Sequence, residues 1–115
     1  MDIEDWRDEI DRVDEKLVEL LNRRAQCAIE IGRIKRERGL PVYSPERERE
    51  VVRHVAGIAS GPLEADAVRR LFERIIDESR SLERVTVERE GAQKSKVRGK
   101  NESGISNRRK ARNRA

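Results

Sequence analysis

The chain has 115 residues, room for one domain at most. Charged residues make up 43% of it and aromatics 3%, which excludes a thick aromatic core or a many-stranded sheet and favours long, charge-laced helices. Residues 88–115 hold ten Lys/Arg and three Asp/Glu, a net +7, while residues 1–87 hold 17 and 20, a net −3, so the basic character belongs to the tail.

The N-terminus, Met1-Asp2-Ile3-Glu4-Asp5, is acidic and lacks the basic start and apolar run of a secretory signal. No apolar run approaches the roughly 20 residues of a membrane span. A cytoplasmic protein with no membrane role is the expectation. From Ile3 onward, residues recur at alternating steps of three and four: Ile3, Trp6, Ile10, Val13, Leu17, Leu20, Arg24, Cys27, Ile31 and Ile34. Such a heptad seam should face a core or a partner helix. Nine of these ten positions are apolar, and Arg24 is a guanidinium. An unpaired buried charge is strongly destabilising, so Arg24 needs an anion, either a carboxylate of the protein or a ligand. Cys27, the one cysteine, can form no intrachain disulfide and is expected as a small core residue. Helix 1 is predicted from Asp2 or Ile3 to Arg38, with Gly39 stopping it and Pro41 preventing its return. At 1.5 Å per residue it would be on the order of 50 Å long, longer than a compact domain of ~90 residues is wide. A homodimer, in which a second copy covers much of the seam, follows from that length.

Residues 39–44, Gly-Leu-Pro-Val-Tyr-Ser, form a loop. Ser44 is a good N-cap and Pro45 suits the first helical position. Helix 2 is predicted over Pro45 to Ile58, with Val51, Val52, Val55 and Ile58 on its apolar face and Glu48 one turn earlier. Ser60-Gly61-Pro62 is a turn. Helix 3 is predicted from about Leu63 to Val85, on a stripe of Val68, Leu71, Phe72, Ile75, Ile76, Ser79 and Leu82, with Glu83 four residues after Ser79. Beyond Val87 the periodicity ends. The domain is therefore placed at 1–87, and 88–115 is read as a basic, disordered tail.

Five residues interrupt these stripes: Arg24, Lys35, Glu48, Ser79 and Glu83. Arg24 and Lys35 are eleven residues apart, three helical turns, so their side chains leave nearly the same face with Cα atoms roughly 16 Å apart. Long side chains bending inward across that gap suit a small dianion. Arg7 lies about 25 Å from Arg24 and roughly 100° round the helix, out of reach of its own chain's Arg24 but within reach of a partner's in an antiparallel pairing. The plainer alternative is a structural ion pair between Arg24 and Glu48 or Glu83. Each residue is weak evidence singly, and the weight comes from several falling on facing stripes of three helices.

The run Trp6-Arg7-Asp8-Glu9-Ile10-Asp11-Arg12-Val13-Asp14-Glu15-Lys16-Leu17, then Leu20-Leu21-Asn22-Arg23-Arg24 and Ile31-Gly32-Arg33-Ile34-Lys35, resembles the all-helical class of chorismate mutase. So do Pro41-Val42-Tyr43-Ser44-Pro45-Glu46-Arg47-Glu48-Arg49-Glu50, Leu71-Phe72 and Ile75-Ile76-Asp77-Glu78-Ser79. The resemblance covers residues 3–85 in order. It implies an all-α fold of three helices per chain, intertwined as a homodimeric bundle with two equivalent sites. It implies conversion of chorismate to prephenate in aromatic amino-acid biosynthesis, by a cofactor-free [3,3] rearrangement with no metal. By position, Arg24 and the partner's Arg7 would bind the substrate carboxylates, and Lys35 a carboxylate and the ether oxygen. Glu48 would accept from the ring hydroxyl, Arg47 and Ser79 would support the pocket, and Glu83 would face the ether oxygen opposite Lys35.

The chemistry fits these residue types. A pericyclic step needs no nucleophile; it needs the enolpyruvyl arm held over the ring and donors for the charge that builds on the ether oxygen. Two positions depart from the family pattern. Glu83 stands where many members have Gln, and a carboxylate there helps only when protonated, which burial would favour. Ser44 stands where some members have Asp near the substrate hydroxyl, so the capping role should persist and that contact weaken. The alternatives are an isochorismate pyruvate lyase of the same fold and a non-catalytic helical module that binds a partner, including an enzyme of the same pathway. Nucleic-acid binding by Arg108, Arg109, Lys110, Arg112 and Arg114 is disfavoured, because the tail has no aromatic residue to stack on bases.

Overall fold

A computed structural model of the chain describes residues 1–96, and these form three α-helices with no strand among them. The chain divides into two units, Met1–Arg84 and Val85–Ala115. The basic segment 97–115, expected to be disordered, lies outside the described residues.

Helix α1 spans Ile3–Glu37. Asp2 caps it through a reciprocal box: its carboxylate accepts from the Asp5 amide at 3.0 Å, and the Asp5 carboxylate accepts from the Asp2 amide at 3.0 Å. Glu4 and Asp5 in the first turn and Lys35 and Arg36 in the last complement the helix dipole. Arg38 ends the helix, and Gly39 turns the chain away at φ +67°, a conformation that costs glycine little. The Leu40 amide donates back to the Lys35 carbonyl at 2.7 Å, which folds the following loop against the end of α1.

Helix α2 spans Pro45–Ile58, as its signals predict, with Pro45 in its first turn and the Ser44 hydroxyl accepting from the Arg47 amide at 3.4 Å. Helix α3 spans Ala65–Lys96. It begins two residues later than predicted and ends eleven residues beyond Val85. Apolar periodicity does fade there, but Glu88, Arg89, Glu90, Ala92 and Gln93 are good helix formers, so the backbone continues where the stripe does not. Residues 88–96 are therefore helical, a correction to the expected tail.

Val55 of α2 and Ile76 of α3 are the buried apolar side chains, and Gly32 is the buried residue of α1. Val51, Val52, Phe72 and Ile75 are half-buried around them. The α1 seam is not part of this packing. Every residue from Met1 to Arg23 is exposed, as are Ile31 and Ile34, and Trp6, Ile10 and Leu17 each keep half or more of their surface open. Cys27, expected in the core, is exposed as well. The reason lies in which face of α1 meets its own chain. That face is Arg24, Ala25, Ala28, Gly32 and Lys35, all half-buried or buried, and its small residues allow close approach. The heptad seam is a second face. Arg24 stands where the two meet.

Candidate functional site

The site is assembled on the C-terminal half of α1, the start of α2 and residues 79–83 of α3. Arg24 is half-buried, and its Nη1 donates to the Ser79 hydroxyl at 3.1 Å. That contact joins α1 to α3 across 55 residues of sequence and uses two of the five stripe-breaking residues. The expected alternative, a direct Arg24 ion pair with Glu48 or Glu83, is not what holds this guanidinium; a neutral hydroxyl does. Three turns further on, Lys35 donates from Nζ to the Val42 carbonyl at 3.3 Å, so the loop before α2 fixes the ammonium. Both cations are thus hydrogen-bonded to neutral oxygens.

Glu83 lies between them. Its Cγ and Cδ sit 3.9 Å from where a Cβ on Gly32 would be, so the carboxylate stem lies directly against the bare backbone of α1. Burial pushes its carboxyl above the usual range. Lys35 pulls it down, Glu48 pushes it up, and Arg24 and Arg36 pull it down further. Three of the other four interrupting residues, Lys35, Glu48 and Arg24, therefore act electrically on this carboxyl, and the fourth, Ser79, holds Arg24. The burial effect that the sequence suggested for Glu83 is present even in the single chain.

Glu48 leaves the first turn of α2 and is about a quarter exposed. Its Oε1 accepts from Arg80 Nη2 at 2.5 Å. The Arg80 guanidinium also lies 4.9 Å from the centroid of the Tyr43 ring, in cation–π range, and 3.6 Å from Asp77. Sequence reasoning missed Arg80 because it lies beside the α3 stripe rather than on it. The available signal was its place directly after Ser79.

Three of the expected site residues stand elsewhere. Arg47 is exposed and pairs with Glu50 at 3.3 Å along its own helix, so this chain does not bring it to the pocket. At position 47 the helix turns the side chain to the solvent side of α2, while position 48 faces α3. Ser44 acts as the α2 cap. Arg7 is exposed near the start of α1 and pairs with Glu4 at 2.7 Å, remote from Arg24 as the helical arithmetic requires. No group of three or more His, Cys, Asp and Glu suited to a metal occurs among the described residues, and no described helix is long and apolar enough to cross a membrane.

Three half-buried ionisable groups and a hydroxyl converge beside a buried glycine, with cations facing a carboxyl that burial shifts upward. Such a cluster can clasp an anion and offer a donor at the same time. Residues 6–84 match the family profile described as chorismate mutase type II. The bifunctional chorismate mutase/prephenate dehydratase of Pseudomonas aeruginosa is 43% identical over 79 residues, which are 64% of this chain and 22% of that protein. The enzyme of the same description from Aquifex aeolicus is 37% identical over 87 residues, 72% of this chain and 24% of that one. The chain therefore spans about a quarter of the length of these curated relatives. Among solved structures, a chorismate mutase from Thermus thermophilus superposes with a TM-score of 0.69 at 38% identity, covering 71% of this chain and 93% of that one. A chorismate mutase from Helicobacter pylori in complex with prephenate superposes with a TM-score of 0.68 at 28% identity, covering 75% and 93%.

Proposed function

We propose that this chain, which belongs to the chorismate mutase type II family, converts chorismate to prephenate in the cytoplasm as a homodimer with two composite sites. The observation that carries the reading is the convergence of Arg24 and Lys35 on Glu83, each cation held by a neutral oxygen. Their positive charge is then left for the substrate. Arg24 binds one carboxylate through its fork, and the partner's Arg7 closes on the other from across the dimer. Lys35 binds a carboxylate and the ether oxygen, and Glu48 accepts from the ring hydroxyl. Holding the enolpyruvyl arm over the ring converts a rare conformer into the bound one.

The carbon–oxygen bond breaks as the new carbon–carbon bond forms, and negative charge gathers on the ether oxygen. Lys35 donates to it from one side. Protonated Glu83 donates from the other, and the charge of the bound dianion helps keep that proton in place. The reaction is a concerted electron shift within one molecule, so these residues need supply only position and donors. A millionfold acceleration corresponds to about 8 kcal/mol, within reach of a few charge-assisted hydrogen bonds in a dry pocket.

The exposed seam of α1 supports the dimer. Ile3, Trp6, Ile10, Val13, Leu17, Leu20, Ile31 and Ile34 are between 46% and 68% exposed. Covering each by half its surface is worth on the order of 10 kcal/mol per chain before the cost of association. The partner would also bring Arg7 to Arg24 and close the side of the site that this chain leaves open.

Two assays run in parallel test the reaction: chorismate loss with prephenate appearance, and pyruvate release from isochorismate. Turnover of chorismate to prephenate is expected. Pyruvate release from isochorismate without prephenate formation would assign the lyase instead, and inactivity on both would leave the partner-binding module.

A further inference from the structure

Adjacent residues of α3 hold the opposite charges of the site. Ser79 accepts from Arg24 of α1, and Arg80 donates to Glu48 of α2. The first pair lies on the stripe that sequence reasoning singled out. In the second, Glu48 has a place in the proposed reaction and Arg80 has none, yet the geometry of Arg80 is specific. The ion pairs of Arg7, Arg12, Arg47, Arg69 and Arg74 join residues three or four apart on one helix. Arg80 has such a local pair too, with Asp77 at 3.6 Å, but its shorter bond, to Glu48, spans 32 residues and joins two helices. The same guanidinium lies 4.9 Å from the Tyr43 ring centroid, on the loop whose Val42 carbonyl holds Lys35.

An exposed ion pair contributes little to stability by itself. Arg80 is 46% exposed, but Glu48 is only 26% exposed, and the Arg80 guanidinium is further held by the Tyr43 ring. A charge-assisted bond from a guanidinium restrained in this way fixes the direction of a carboxylate more than it adds to the fold. Building on the mutase reading, we infer that Arg80 is a positioning residue, which aims the Glu48 carboxylate at the substrate hydroxyl and ties the Tyr43 loop to the site.

Arg80 then acts in two ways. It restricts Glu48 to the orientation in which an oxygen points at the bound ring. It also offsets the charge of Glu48 as felt by Glu83, which faces Lys35, Arg24 and Arg36 as well. A lysine in its place would keep a charge but lose the planar guanidinium that reaches both Glu48 and the Tyr43 ring.

The test is a double-mutant cycle in the full chain, with Arg80→Met and Arg80→Lys each placed in the wild-type and Glu48→Gln backgrounds, and kcat and KM for chorismate measured across pH. Arg80→Met is expected to lower kcat/KM about tenfold, mostly through KM, in the wild-type background and by less than about twofold beside Glu48→Gln. Arg80→Lys should recover part of the loss. Arg80→Met should also move the Glu83-dependent fall in activity to higher pH, and that displacement should shrink when Glu48 is Gln. Equal losses in both backgrounds, or none in either, would overturn the role of Arg80 while leaving the mutase reading intact. A wild-type chain that does not turn over chorismate would overturn the mutase reading and the role of Arg80 with it. Helix content and melting temperature accompany each variant, and Arg80→Lys carries the same comparison if Arg80→Met does not fold.

Discussion

Replacing Glu83 by Gln should remove a pH dependence expected of the wild-type chain. Burial against α1 at Gly32 raises the Glu83 carboxyl, Glu48 adds to the rise, and Lys35, Arg24 and Arg36 oppose it. Protonated, Glu83 donates to the ether oxygen as charge develops there; ionised, it repels that charge. Each pH unit above its pKa leaves about one tenth as much of the donor form, so kcat/KM should fall about tenfold per unit. Removing one donor of this kind costs roughly a hundredfold to a thousandfold in rate, so the fall should level off about that far below the acid plateau. Gln donates through its amide at any pH. Glu83→Gln should therefore give a flat profile near the wild-type acid plateau. The assay is initial-rate chorismate consumption from acid to alkaline pH at constant ionic strength. A wild-type profile that is flat, or a Glu83→Gln profile with the wild-type slope, would refute the donor role.

Three other outcomes follow from the same contacts. Arg24→Met removes both the substrate fork and the bond to Ser79, so kcat/KM should drop at least about a hundredfold, whereas Ser79→Ala, which leaves the guanidinium in place, should cost markedly less; steady-state kinetics separates them. Ser44→Ala deletes the α2 cap and should destabilise the chain by about 1 kcal/mol, seen as a lower melting temperature. The raised Glu83 carboxyl binds a proton more readily folded than unfolded, so its contribution to stability is present below the unfolded value of 4.5 and is lost as pH rises through the folded pKa; urea midpoints measured across that window should fall with pH for wild type and fall less for Glu83→Gln.

The helices were legible because local signals mark them. Asp2, Ser44 with Pro45, and Gly39 set ends that coincide with the observed ones within a residue. The end of α3 was not, because its stripe stops near Val85 while helix-forming residues continue. Among the candidate residues, Arg24, Lys35, Ser79 and Glu83 stand out in the sequence because each breaks an apolar pattern, and a polar group on such a stripe implies a partner. Arg47 stands on the solvent side of its own chain because one position along α2 separates a side chain facing α3 from one facing water. Arg80 was invisible because an arginine beside a stripe resembles any solvated charge, and only folding brings it to Glu48 and Tyr43. The seam of α1 was read as one surface because spacing cannot say which neighbour covers it. Its own chain takes Ala25, Ala28 and Gly32, and leaves Ile31 and Ile34 open.

A site shared between two chains is tested most directly by mixing two defective ones. Arg7→Ala and Arg24→Ala homodimers should each be nearly inactive. After subunit exchange, a mixed dimer of two-fold symmetry places both lesions in one site and none in the other, so the equimolar mixture should regain about a quarter of wild-type activity. A mixture no more active than its components, with exchange verified, or an Arg7→Ala homodimer as active as wild type, would contradict the composite site.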